Sequence, residues 1–394
     1  MDNYFGATPE QQSEFEDSAR PLPDVYDLAS KILAPFHTFY KSQYYEPTGG
    51  SLALRWISSF ELRASASYLP GPKHDHSIEI SYGLLKAMWK DAFAFYLHCS
   101  NFFGATTEEE LKTLAQIYAR YSRPPTEDGF IPTGLNCSVC TESLFGLGLS
   151  WLFGHEAGHL FQNHVALRAD SSCDSLKVSE FFSQNEWVLT GRAAWLSHAT
   201  ELAADYEGIV KLIFMVIIQK RAPGSTETKV TEQDIWLIAA SLSLLFFRFW
   251  DHKRSPFLAE AAGSHPHPGI RFHMALRALL SIINHHEFRK TFQLELPFSQ
   301  LIDVSEEAFT SVSLFWVKRY GGSIEELSGL TYLSLSASDV ASSYLRNVYD
   351  IWSEIAPAAK AAHPEGENAQ IFHFDSDLLN RIQQPQPAPA LREG

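Results

Sequence analysis

The stretch WLFGHEAGHLF, residues 151–161, decides how this chain is read. On a helix, positions i and i+4 share one face, so His155 and His159 point the same way. Two imidazoles so placed can hold one zinc ion. Glu156 then projects toward the metal's open coordination position, where a carboxylate can take a proton from bound water. Leu152, Phe153, Leu160 and Phe161 flank the motif, so the helix is expected to be largely buried. Burying two histidines and a glutamate without a metal or partners is costly, which favours a zinc site over a chance match.

A catalytic zinc needs a third protein ligand. The metzincin pattern would place Gly and His where Gln162 and Val165 stand, so that class is excluded. His164 is one residue short and is read as an exposed helix residue. Downstream lies SHATELAADYEG, in which Glu201 and Asp205 again share a helical face. Glu201 would complete a His, His, Glu set of the thermolysin kind. Asp205 would accept the remaining ring N–H of a ligand histidine, His155 in the first instance, fixing its tautomer. Ala199, Ala203 and Ala204 would let this helix approach the motif helix closely. His198, three residues before Glu201, is the alternative ligand.

The third element is SHPHPGIR, residues 264–271. Pro266 and Pro268 stiffen a loop before a helix. His265 and Arg271 at its base are candidates to donate hydrogen bonds to an oxyanion formed during amide hydrolysis.

In order, HEAGH, ELAAD and HPHPGIR resemble the motifs of the gluzincin peptidases, most closely those of the HtpX and CAAX-prenyl-protease type. The resemblance rests on His155, Glu156 and His159, on Glu201 and Asp205, and on His265, Pro266 and Arg271. It implies zinc held by His155, His159 and Glu201, with Glu156 as base. It also implies Asp205 behind the ligands, and His265 and Arg271 on the substrate or oxyanion side. The implied fold is α+β and mainly helical, a zincin-like catalytic domain with a small upstream β-sheet and helical N- and C-terminal additions. The segment SASYLPGPKHDHSIEISYGLL looks like the strand pair and helix that precede the motif in such enzymes. One of its strands offers an edge for an extended peptide. The HtpX group spans membranes, whereas no apolar run here reaches the ~20 residues a span needs. The chain is therefore also similar to soluble Lit-type phage-exclusion peptidases, cytoplasmic HExxH enzymes that cleave a translation factor.

The rest of the sequence is compatible with this. The 394 residues suffice for a large core, and 45% are hydrophobic. Asp plus Glu (46) exceeds Lys plus Arg (31), giving a formal charge of −15, which argues against a nucleic-acid surface and against docking on anionic lipid. The expected partner is a protein or peptide, and the expected location is the cytoplasm. Oligomeric state is left open. Four cysteines are too few for a disulfide scaffold, and Cys137-Ser-Val-Cys140 is read as two reduced thiols.

The expected organisation is an N-terminal helical segment (1–50), a zincin-like metallopeptidase domain (51–295) and a C-terminal helical region (296–382), ending in a disordered tail (383–394). Residues 101–136 are read as an insertion or lid. Helices are expected over 141–166, 191–219 and 270–283. The function that follows is a zinc-dependent endopeptidase hydrolysing a peptide bond in a cytoplasmic protein, with zinc-bound water activated by Glu156. The alternatives are a zinc-stabilised binding or regulatory protein without proteolytic activity, and a non-peptidase zinc hydrolase.

Overall fold

The computed structural model describes residues 24–69, 75–100, 135–168, 177–179, 189–221, 229–252, 260–320 and 339–383. It is α+β and mainly helical, as the motifs imply. Among the described residues no helix is long and apolar enough to cross a membrane. The expected insertion over 101–136 falls almost wholly outside the described residues, and so does the tail beyond Gln383.

The chain opens with α1 (Val25–Tyr40), started by Asp24, whose carboxylate accepts from the amides of Tyr26 and Asp27. Three strands follow, β1 (Ser51–Ile57), β2 (Ala64–Leu69) and β3 (Asp75–Ser81), and then α2 (Tyr82–Ser100). A short β4 (Lys177–Ser179) completes a four-stranded sheet in the order β1-β3-β2-β4. β1 runs parallel to β3, and β2 is antiparallel to both β3 and β4.

The expected peptide-binding edge is corrected by this order. β3 lies between β1 and β2 along its length, and β2 lies between β3 and, at Ser65, Ala66 and Ser67, β4. The ladder groups of β3, and those of the middle of β2, face neighbouring strands on both sides. Among the described residues the outer positions belong to β1 and β4. Helix α1 also covers part of β1. The Tyr26 hydroxyl donates to the Ile57 carbonyl at 2.8 Å, and His37 Nε2 lies 2.8 Å from the Leu52 carbonyl.

Two long helices carry the motifs. Helix α3 (Cys137–Phe161) begins at Asn136, which caps the amide of Val139. Cys137 and Cys140 lie in its first turn, not joined by a disulfide, and burial pushes the Cys140 thiol up to about 12. The expected helix over 141–166 is broken near its end. Asn163 takes a left-handed conformation (φ 51°), and a separate turn, α4 (His164–Arg168), follows. Asn tolerates this conformation better than most residues, which is why the break falls there.

Helix α5 (Gly191–Arg221) packs along α3, and glycines set how close the two come. A Cβ at Gly158 would lie 2.8 Å from Glu207 Cβ. One at Gly208 would lie 2.8 Å from Trp151 Nε1 and 3.0 Å from the Trp151 carbonyl oxygen. Gly208→Ala is therefore expected to destabilise the protein by about 1–3 kcal/mol through overpacking. It should do so even though alanine gains ~1 kcal/mol of helix propensity. A lowered denaturation midpoint checks this; an unchanged or raised midpoint would contradict it.

The remaining helices are α6 (Glu232–His252), α7 (Pro268–Asn284), α8 (His286–Thr291), α9 (Phe298–Tyr320), α10 (Asp339–Ala362) and α11 (Ser376–Gln383). Helix α5 lies between two cores. Ile209 and Leu212 join a large cluster with Tyr40, Phe153, Phe95, Trp236 and Trp316. Ala199, Leu202 and Tyr206 join a second cluster with Tyr344, Trp352 and Phe372. Covered on both sides, α5 holds its polar residues away from water.

Candidate metal centre

His155 and His159 lie one turn apart on α3, and Glu201 faces them from α5. Their ligand atoms all lie within 4.8 Å of one another, so the three form a group able to hold a metal ion. His155 Nε2 is 3.1 Å from His159 Nε2 and 3.5 Å from Glu201 Oε2, and His159 Nε2 is 3.6 Å from Glu201 Oε1. All three are buried, with 0%, 1% and 0% of their surface exposed. Trp151 stacks on the His155 ring, at 5.2 Å between centroids. The Tyr68 hydroxyl of β2 donates to the carbonyls of His159 and Leu160, tying the sheet to the end of the motif helix.

Both imidazoles are held from behind. His155 Nδ1 is 3.0 Å from Asp205 Oδ1. Arg271 approaches the same carboxylate with two nitrogens, at 2.9 and 2.6 Å. Burial pushes the Asp205 carboxyl up, but Arg271 and then His155 outweigh it and hold the group below its usual range. His159 Nδ1 lies 2.8 Å from His164 Nδ1. Burial lowers His159 to about 4 and puts His164 well below its usual value, so both rings are neutral near pH 7. A neutral imidazole is the form that ligates a metal.

Glu201 is the electrostatic centre. Arg168 Nη2 is 2.9 Å from Oε1, while His265 Nε2 is 3.4 Å and Arg271 Nη2 is 3.8 Å from Oε2. Burial opposes ionisation, but His265 first, and Arg168 with it, hold this carboxyl well below its usual range. Glu201 is thus an anion among nitrogen donors, the form in which a carboxyl group ligates a metal.

The other expected site residues fall as follows. Glu156 is wholly buried, next to His155 on α3. His265 faces Glu201 and lies 2.9 Å through Nδ1 from the Ser264 hydroxyl. Arg271 is 2% exposed and bonded to Asp205. His198 lies outside the three-residue group, its Nδ1 2.7 Å from the Tyr344 hydroxyl of α10.

Three neighbours escape a reading of the motifs. Arg168 on α4 reaches Glu201, and also donates to the Thr200 hydroxyl at 2.8 Å. Gln162 and His164, just past the motif, are both 0% exposed. His164 is thus interior rather than on a solvated face, because the turn at Asn163 swings it back under His159. An asparagine at 163, a residue type that enters the left-handed region more readily than most, is the sequence signal that points to this turn. Comparison with protein-family models, with curated proteins and with solved structures finds no match to the chain.

Proposed function

We propose that this chain is a zinc-dependent endopeptidase acting on a cytoplasmic protein. One observation carries the proposal: two imidazoles and a carboxylate converge within 4.8 Å, with Glu156 adjacent on the same helix. The donor set fits the metal. Two nitrogens and one carboxylate suit zinc, and three protein ligands leave a position for substrate or water. His155, His159 and Glu201 would hold the ion. When bound, it supplies a Lewis acid that polarises water and the scissile carbonyl.

The chain's own groups do the rest. Glu156 accepts the proton of the water that adds to the carbonyl carbon. It returns that proton to the amine as the C–N bond breaks, so one peptide and one water give a carboxylate and an amine. His265, facing the ligands, is positioned to donate a hydrogen bond to the carbonyl oxygen as it gains charge. Asp205 and Arg271 hold the His155 ring, and Arg168 holds Glu201.

The test is terminal-peptide proteomics of cells expressing the wild type against Glu156→Gln, with metal analysis of both proteins. The wild type should generate new protein termini. The variant should keep its zinc and generate none, a loss of activity of at least the ~10²–10⁴-fold contribution of a general acid–base. Equal cleavage by both would refute the role of Glu156.

A metal centre that stabilises a binding or regulatory protein is the alternative, and one observation favours it. Glu156, His155 and Glu201 are all 0% exposed, as in a closed site. Chelation would then lower the melting temperature, while the wild type would generate no new termini. Zinc-dependent hydrolysis of a small non-peptide substrate without new protein termini would identify a non-peptidase hydrolase.

A further inference from the structure

A buried chain of polar side chains starts behind His159 and runs away from the metal group. His159 Nδ1 is 2.8 Å from His164 Nδ1. His164 Nε2 is 3.3 Å from Gln162 Oε1, and Gln162 Nε2 donates to Glu207 Oε2 at 3.5 Å. The four residues are 0–1% exposed. Glu207 ends the chain inside a second cluster. Lys211 Nζ is 3.0 Å from its Oε1, and His363 Nε2 is 3.5 Å from the same oxygen. His363 Nδ1 accepts from the Glu365 amide at 3.1 Å, so its proton sits on Nε2 and faces Glu207. Lys211 also donates to Glu365, which accepts from the Tyr44 hydroxyl.

The direction of every bond in this chain follows from its carboxylate end. Burial pushes the Glu207 carboxyl up, but Lys211 and then His363 overcome it, so Glu207 is an anion that can only accept. The Gln162 group facing it must be the NH₂, which turns the amide oxygen toward His164. An oxygen there requires a proton on His164 Nε2. A neutral His164 then carries a bare Nδ1, which accepts from His159. The proton of His159 therefore lies on Nδ1, and its Nε2 lone pair faces Glu201 and His155. His155 reaches the same state by a shorter route, because Asp205 accepts from its Nδ1 directly.

We infer that His164, Gln162 and Glu207 form a positioning relay that fixes the tautomer and ring orientation of His159, preparing its Nε2 to bind metal. The inference rests on the assignment of His155, His159 and Glu201 as the metal ligands. A carboxylate or carbonyl usually accepts the second N–H of a ligand histidine. Here a second histidine takes that place and passes the orientation of a remote carboxylate inward. Through His363 and Glu365 the relay also joins the metal helix to the segment that follows α10.

The test combines zinc affinity with histidine tautomers in the full-length chain. Zinc affinity is read by competition with a chromophoric chelator. His164→Phe keeps the ring shape but has no acceptor for His159, and should weaken zinc binding by about 10–100-fold, the usual effect of losing such a partner. His164→Asn, whose Oδ1 can stand near the lost Nδ1, should recover most of that affinity. Gln162→Leu should weaken binding in the same direction and by less. In the metal-free wild type, long-range ¹H–¹⁵N spectra of labelled histidines should show His164 protonated on Nε2 and His159 on Nδ1. The tautomer readout does not depend on any variant folding. Wild-type affinity in His164→Phe, equal weakening in the Phe and Asn variants, or the opposite His164 tautomer would each overturn the relay while leaving the metal ligands standing. A wild type that takes up no zinc would overturn both.

Discussion

Asp205→Ala is expected to destabilise the fold by about 3–5 kcal/mol, the usual penalty for leaving one partner of a buried ion pair behind. Arg271 is 2% exposed and places two nitrogens on this carboxylate. Without it, the guanidinium keeps Glu201 at 3.8 Å and the faces of Phe246 and Phe249, at 5.6 and 5.2 Å. These do not replace two charge-assisted hydrogen bonds. Asp205→Ala also removes the acceptor behind His155 Nδ1, so zinc affinity falls with stability. Denaturant titration of three proteins separates the causes. Asp205→Ala should be the least stable, and Asp205→Ala combined with Arg271→Met should recover much of the loss, because neither charge is then buried alone. Zinc affinity should stay low in both. A single variant as stable as the wild type would show that the pair does not hold this part of the fold.

Glu201→Ala is expected to abolish zinc binding. It removes one of the three proposed ligands and leaves Arg168, His265 and Arg271 directed at a position with no anion. The affinity loss should exceed the ~10–100-fold that an orienting partner contributes. Equilibrium dialysis against zinc checks this. Glu201→Gln should fail as well, because the amide keeps the shape but not the charge, so its failure assigns the loss to charge rather than to a cavity. Retained affinity in both variants would remove Glu201 from the ligand set.

The site's central geometry was legible because helical spacing converts directly into shared faces. A step of four positions from His155 to His159, and again from Glu201 to Asp205, places each pair on one side of a helix without knowledge of the fold. Pairing those two helices was less direct, yet the alanines around Glu201 and the glycines at 154 and 158 are what permit close approach. What escaped the sequence depends on a single turn. Periodicity continued the motif helix to residue 166, which put His164 on a solvated face. The left-handed Asn163 ends the helix at Phe161, brings His164 under His159, and lets Arg168 reach Glu201. The role of Arg271 was equally hidden. A loop of the form HPHPGIR shows that an arginine follows the prolines, not that its guanidinium turns inward to Asp205. The strand pair shows a related gap. Alternating apolar residues located both strands, but only the tertiary order shows β3 and the middle of β2 to be interior, because β1 enters parallel to β3 from earlier in the chain and β4 joins β2 from later. Within HPHPGIR, His267 has a plain structural duty, capping α7 through Nδ1 and the Gly269 amide.

The measurement closest to the central claim is the zinc content of the purified full-length protein after exposure to zinc and removal of the unbound ion, alongside the His155→Ala and His159→Ala variants. One tightly held zinc per chain is predicted for the wild type and none for either variant. A wild type that retains no zinc, or variants that retain as much as the wild type, would contradict it.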